Sequence, residues 1–206
     1  MNTPNNDGLK FKCVSQIELN SGEVLFNSTD SDHKIYAVRK GMLSSLNPNN
    51  HQIESLFLPG ELVGLEATVN CRYTNDVVAN NIDCSLCVLD LDNVDTNEIS
   101  FQKEISLALR NKLVQQQKSV INCINTAEQR FSAFLLDVLE RRKKHYFFEQ
   151  HFYLPISQEE LANYLGLAVA TLNRAIKKLR SMKVISLDKR FYTIHDVSQL
   201  ESIVKT

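Results

Sequence analysis

The 206-residue chain contains no run of about 18 consecutive apolar residues, so no transmembrane helix is expected. Residues Met1 to Gly8 lack both a basic cluster and an apolar core, so no secretory signal is expected. These absences suggest a cytoplasmic protein. Cysteines are few and scattered, at Cys13, Cys71, Cys84, Cys87 and Cys123. An odd number without a signal segment argues against a disulfide framework, and reduced thiols are the expectation in that compartment. The histidines, His33, His51, His145, His151 and His195, show no ligand spacing, so no metal is assigned. An enzyme built on a metal-binding β-barrel would need clustered His and carboxylate ligands, which the β-rich half lacks; no enzymatic activity is expected. No internal repeat or low-complexity tract occurs.

What is present is an ordinary globular composition, 43% hydrophobic and 23% charged. The net charge of −1 hides an asymmetry. Residues 1–125 carry 10 Lys/Arg against 15 Asp/Glu, whereas residues 126–206 carry 13 against 9. Within 171–190, Arg174, Lys177, Lys178, Arg180, Lys183, Lys189 and Arg190 face a single acid, Asp188. An acidic half joined to a basic half points to two domains, one of which meets a polyanion; a solvated helix face is the blander alternative.

From Phe11 to Leu91 the chain reads as short strands separated by turns. Val24–Phe26, Ile35–Val38, Ile53–Phe57 and Cys84–Leu89 are β-prone, and Asn20-Ser21-Gly22, Arg39-Lys40-Gly41, Asn47-Pro48-Asn49-Asn50 and Leu58-Pro59-Gly60 supply turn chemistry. This spacing predicts an antiparallel sandwich or barrel. From Glu98 to Asn125 there is no Gly or Pro, and Phe101, Ile105, Leu109, Leu113, Val120 and Ile124 draw one stripe along a long helix, interrupted at Gln115-Gln116-Gln117. Such a stripe either packs on its own domain or pairs with its copy in a homodimer. A further helix is predicted from Ala127 to about Lys144. The expected organisation is a β-rich domain over 1–97, a candidate dimerisation helix over 98–125 and a basic, helix-rich domain over 126–206.

The segment 155–194 carries the chemistry. Ser157 with Glu160 three residues later forms a capping box, which starts a helix over Gln158–Leu165. Gly166 supplies a sharp turn, and a second helix runs over about 168–182. Two short helices joined by a tight glycine turn are a helix-turn-helix. Leu161 and Leu165 line the inner face of the first helix, the small Ala162 allows a close crossing, Leu167 plugs the turn, and Leu172, Ile176 and Leu179 form the inner stripe of the second. The outward residues Val169, Ala170, Thr171, Asn173, Arg174, Lys177 and Lys178 are then the set a recognition helix aims at bases and phosphates of double-stranded DNA. A β-hairpin follows, with Lys189 and Arg190 in its turn, placed to touch the DNA backbone as a wing. Cys84-Ser85-Leu86-Cys87 has the spacing of metal and redox pairs, but lies in a predicted strand where residues three apart point to opposite faces, which spoils chelation and closure between these two.

The run Leu161-Ala162-Asn163-Tyr164-Leu165-Gly166-Leu167 with Thr171-Leu172-Asn173-Arg174 resembles the helix-turn-helix of the Crp/Fnr superfamily. Gly22-Glu23-Val24-Leu25-Phe26, Ile35 to Gly41, Leu58 to Gly64 and Ala127-Glu128-Gln129-Arg130 follow in that family's order, and Gly60-Glu61-Leu62-Val63-Gly64-Leu65-Glu66-Ala67 resembles its Fnr-like branch. The resemblance implies an α+β protein. Its parts would be an N-terminal β-roll sensor of cyclic-nucleotide-binding type, a long dimerisation helix and a C-terminal winged helix-turn-helix. It further implies a homodimeric transcription regulator that engages RNA polymerase. The chain departs from the family pattern in three ways. Ala170 stands where a Glu usually reads the half-site. Only Arg72 is near the position of the cyclic-phosphate Arg-Ser pair, so cyclic-nucleotide binding is not expected. Cys13 alone stands where the iron–sulfur branch has a cysteine cluster. The effector is left unassigned, and a ligand- or redox-sensing module with weak or no specific DNA binding is the alternative.

Overall fold

The computed structural model describes residues 13–31, 34–67, 72–89, 106, 109, 126–145 and 149–205. The chain divides into two compact units, Met1–Gln116 and Gln117–Thr206, a boundary inside the stretch 98–125 read as one helix. Ser106 and Leu109 are the described residues of that stretch, and both are helical. Phe101, Ile105, Leu113, Val120 and Ile124 lie outside the described residues.

The first unit contains β1 (Ser15–Leu19), β2 (Val24–Phe26), β3 (Ile35–Lys40), β4 (Leu43–Leu46), β5 (Ile53–Phe57), β6 (Leu62–Val63), β7 (Asp76–Ala79) and β8 (Cys84–Leu89). They form two antiparallel four-stranded sheets, ordered β1-β8-β3-β6 and β2-β7-β4-β5. The four expected strands are β2, β3, β5 and β8. The unexpected β4 reads Leu-Ser-Ser-Leu, too polar to signal a buried strand. Ser44 is nonetheless buried, because its hydroxyl donates to Asn80 Oδ1 at 2.9 Å, which offsets its desolvation.

Between the sheets, Tyr36, Val38, Leu86 and Val88 meet Phe26, Leu43, Tyr73 and Val77. The opposite face of the β1-β8-β3-β6 sheet is apolar too: Ile35, Ala37, Leu65, Cys87 and Leu89 form a second cluster, against which Leu109 packs. This explains why β3 and β8 lack the apolar–polar alternation of a half-exposed strand. Leu109 of the predicted stripe is thus partly buried against its own β-rich unit.

The turn into β4 depends on Gly41, whose φ is +90°. A Cβ there would run into the Cys84 sulfur and the backbone of Asp83 and Cys84. Cys84 faces the inter-sheet core and Cys87 the second cluster, so the two thiols of the Cys-x-x-Cys run do point apart. The expectation of wholly reduced thiols needs a correction. Cys13 and Cys87 are joined as a disulfide, with Cα atoms 5.4 Å apart. In the β1–β8 ladder Gln16, not Cys13, sits opposite Cys87, so a pairing 74 residues apart and off the register leaves no mark in the sequence spacing.

The second unit contains α1 (Ala127–Lys144), β9 (His151–Tyr153), α2 (Gln158–Leu165), α3 (Val169–Ser181), β10 (Ile185–Asp188), β11 (Phe191–Ile194) and α4 (Val197–Lys205). Thr126 caps α1 through a reciprocal box with Gln129. The helix buries Phe131, Phe134, Leu135, Val138 and Leu139. Phe131 and Phe152 pack on Tyr192, whose burial pushes its hydroxyl pKa up to about 12. The hairpin β10–β11 is the expected one, but it is part of a three-stranded sheet, ordered β10-β11-β9. Of the basic run at the end of α1, Arg141 is buried and bonded to Asp137 at 3.3 Å, so only part of that run serves the helix dipole.

Candidate nucleic-acid interface

The helix-turn-helix is built as its residues dictate. Ser157 Oγ accepts from the Glu160 amide at 3.1 Å, and Glu160 Oε2 accepts from the Ser157 amide at 2.7 Å, which satisfies two free amides of α2. The helix ends at Gly166, which adopts the left-handed conformation, φ 62° and ψ 39°. The amides of Gly166 and Leu167 then donate back to Asn163 and Ala162 carbonyls at 3.1 and 2.9 Å. Leu161, Ala162 and Leu165 on α2, and Leu172, Ala175, Ile176 and Leu179 on α3, are buried as the apolar spacing predicts. Leu167 is half-buried at the turn.

A residue outside the motif fixes this turn. Arg130, on the first turn of α1, donates through Nη1 to the carbonyls of Leu165 (3.2 Å) and Gly166 (3.3 Å). Carbonyls at a helix C-terminus carry partial negative charge, so a guanidinium is suited to hold them. The Ala127-Glu128-Gln129-Arg130 run was legible only as a resemblance; the role of Arg130 depends on a contact 35 residues away.

The recognition helix α3 presents Val169, Ala170, Asn173, Arg174, Lys177 and Lys178 to solvent, with Thr171 half-buried. Ala168 offers no side-chain cap to its first turn. Arg174 lies back along the helix: its Nε donates to the Ala170 carbonyl at 3.3 Å and its Nη2 to Thr171 Oγ1 at 3.1 Å. Lys178 Nζ is 3.2 Å from Glu128 Oε1 on α1, so it is already engaged, whereas Lys177 has no such carboxylate among the described ion pairs. The Glu128 carboxyl is held below the usual carboxylate range, first by its own backbone amide and then by Lys178. In the wing, Lys189 is exposed and Arg190 half-buried, and Lys189 turns the hairpin with φ 54°. The outer face of the wing carries His151 stacked on Phe191. Positive charge prevails on the outer residues of α3 and at the β10–β11 turn, where Asp188 is the one acid.

The β-roll interior bears on the effector. Tyr73 is almost wholly buried, its ring stacked on Phe26 with centroids 3.6 Å apart and its hydroxyl donating to the Lys34 carbonyl at 3.0 Å. Arg72, the nearest candidate for a cyclic phosphate, is exposed. Among the described residues no group of His, Cys, Asp and Glu could hold a metal ion, and no helix is long and apolar enough to cross a membrane.

Two family models match: a Crp-like helix-turn-helix domain over residues 129–203 and a cyclic nucleotide-binding domain over residues 16–96. The chain is 30% identical to the transcriptional activator protein Anr of Pseudomonas protegens over 188 residues, covering 88% of this chain and 77% of that protein. It is 26% identical to the anaerobic regulatory protein of Pasteurella multocida, covering 88% and 69%. Its fold is that of FixK2 from Bradyrhizobium japonicum, with a TM-score of 0.78 at 20% identity, covering 92% of this chain and 96% of that one.

Proposed function

We propose a mode of action for this chain on the premise that it belongs to the Crp/Fnr family of DNA-binding transcription regulators. It acts as a homodimer in the cytoplasm, reads a near-palindromic operator through α3, and works on RNA polymerase rather than as an enzyme. The observation that carries this is the surface of α3. Its inner side is closed by Leu172, Ile176 and Leu179, and its outer side offers Asn173, Arg174 and Lys177. Two such helices would enter successive major grooves about 34 Å apart.

Arg174 is the principal reader. Among the described residues its guanidinium is held near the start of α3 by a neutral carbonyl and a hydroxyl, bonds it can exchange for the O6 and N7 edge of guanine. Ala170 cannot hydrogen-bond a base, so its position accepts more sequence than a Glu would. Asn173 serves adenine or a phosphate. Lys177, Lys189 and Arg190 supply sequence-independent phosphate contacts. Lys178 contributes less, because Glu128 competes for it. For the interface between copies, Phe101, Ile105, Leu113, Val120 and Ile124 are the proposed seam, and Leu109 belongs to the β-roll instead.

The test is selection of bound duplexes from a random pool with wild type, Arg174→Ala and Ala170→Glu. A palindrome is expected for wild type. Arg174→Ala should lose about 1–3 kcal/mol and relax one position per half-site, and Ala170→Glu should add a preference for cytosine. Recovery of one motif at equal strength by all three would show that α3 is not the reader.

A further inference from the structure

We propose that Cys13 and Cys87 form a reversible redox site, a dithiol–disulfide pair through which the β-roll senses thiol oxidation. The proposal rests on the reading of the chain as a cytoplasmic regulator. In that compartment a disulfide is seldom structural, and those that form are mostly transient and redox-sensing.

Three observations converge on the pair. The two sulfurs are bonded although the cysteines lie 74 residues apart, so folding itself brings them together. Access is one-sided: Cys87 is about 1% exposed, whereas Cys13 is half-buried at the mouth of β1, with its sulfur also 3.2 Å from the Ser15 carbonyl. A small oxidant or reductant therefore meets Cys13 first. Finally, the pair lies in the second apolar cluster of the β1-β8-β3-β6 sheet. Both Cys13 and the helical Leu109 pack there, beside Ile35, Ala37, Leu65 and Leu89. Opening the bond adds two S–H groups to a closely packed layer on which Leu109 rests, and such layers respond to changes of this size.

The chemistry balances with a small-molecule disulfide as oxidant. The Cys13 thiolate attacks one sulfur of that disulfide and expels its first thiolate, giving a mixed disulfide. The Cys87 thiolate then attacks the Cys13 sulfur, and the new Cys13–Cys87 bond releases the second thiolate. Two electrons pass to the oxidant, and the two thiol protons end on the two small thiols released. A dithiol reverses both steps through Cys13. Cys84 takes no part, since it faces the other side of the sheet and donates to the Met42 carbonyl at 3.3 Å, with burial pushing its thiol pKa up.

The experiment equilibrates the full chain with oxidised or reduced glutathione, blocks free thiols with N-ethylmaleimide, and maps peptides without reduction. Duplex binding is measured on the same samples with the selected operator, or with mixed-sequence duplex at low salt. A Cys13–Cys87 peptide should appear in the oxidised sample and vanish with dithiothreitol, and DNA affinity should change about fivefold or more between states. Cys13→Ser, and Cys13→Ala beside it, should hold the reduced-state affinity under both conditions. The proposal is overturned if no such peptide forms, if Cys87 links to Cys71 or Cys123 instead, or if the peptide forms with no change in affinity. A pair that cycles in a protein binding no duplex in either state would uphold the redox site and sink the regulator reading.

Discussion

Replacing Gly166 by Ala isolates a backbone effect at the hinge of the helix-turn-helix. Gly166 sits at φ 62° and ψ 39°, where an L-residue suffers a Cβ–carbonyl contact worth about 1–2 kcal/mol. Space is not at issue: an added Cβ would meet only Arg130 Nη1, at 3.6 Å, an ordinary van der Waals distance. Ala also stiffens the unfolded chain, which offsets about 0.4–1 kcal/mol. The net expectation is a loss of about 1 kcal/mol, or roughly 4–8 °C in the melting of the second unit. Gly166→Asn should lose less, because Asn tolerates this conformation. Arg130→Met removes the guanidinium from the Leu165 and Gly166 carbonyls and should cost about 1.5–3 kcal/mol. Because Arg130 bonds the Gly166 carbonyl directly, the double variant should depart from additivity by about 0.5 kcal/mol or more. Urea unfolding followed by circular dichroism measures wild type and all four variants. Asn as costly as Ala would refute the left-handed turn, and strict additivity would count against the direct Arg130–Gly166 contact.

Other consequences concern charge and ligand. Lys177→Ala should weaken binding to every duplex and lower the salt slope by about one unit for each phosphate left without its counter-charge, while Lys178→Ala should lower it less, because Glu128 already neutralises that ammonium; equal slopes for the two would count against the pairing. Calorimetry should detect no micromolar binding of cyclic AMP, because Arg72, the nearest candidate for the phosphate, is exposed and its neighbour Tyr73 is buried against Phe26; micromolar binding abolished by Arg72→Ala would overturn this.

What could be read from the sequence was local. The cap at Ser157, the glycine at 166 and the apolar steps through Leu179 lie within a few turns of chain, so each constrains its neighbours directly, and all three agree with the structure. Two other local signals went unread: Thr126 with Gln129, and Asp196, whose carboxylate accepts from the Gln199 amide at 2.8 Å at the start of α4. The remainder was long-range. The Arg130 clamp, the Lys178–Glu128 pair, the addition of β9 to the wing and the Cys13–Cys87 bond all join segments whose proximity only the tertiary fold creates. Ser44 and Ser45 hid β4 for a related reason: their polarity is matched by Asn80 and Asn75, partners that lie 36 and 30 residues away.

Gly41 and Cys84 carry a consequence for how this sequence can drift. The sulfur of Cys84 fills the volume that any side chain at position 41 would need. Removing the thiol would not open position 41, because the Asp83 carbonyl and the Cys84 Cα would stand 2.9 Å from any Cβ there and φ is +90°. Truncating Cys84 alone would leave a void in the inter-sheet core, so that route is costly as well. The dependence runs one way: the bare backbone at 41 makes room for the thiol, whereas a smaller residue at 84 makes no room for a side chain at 41. Descendants should thus keep glycine at 41 whatever stands at 84, and Cys84 serves there by its shape rather than by any chemistry.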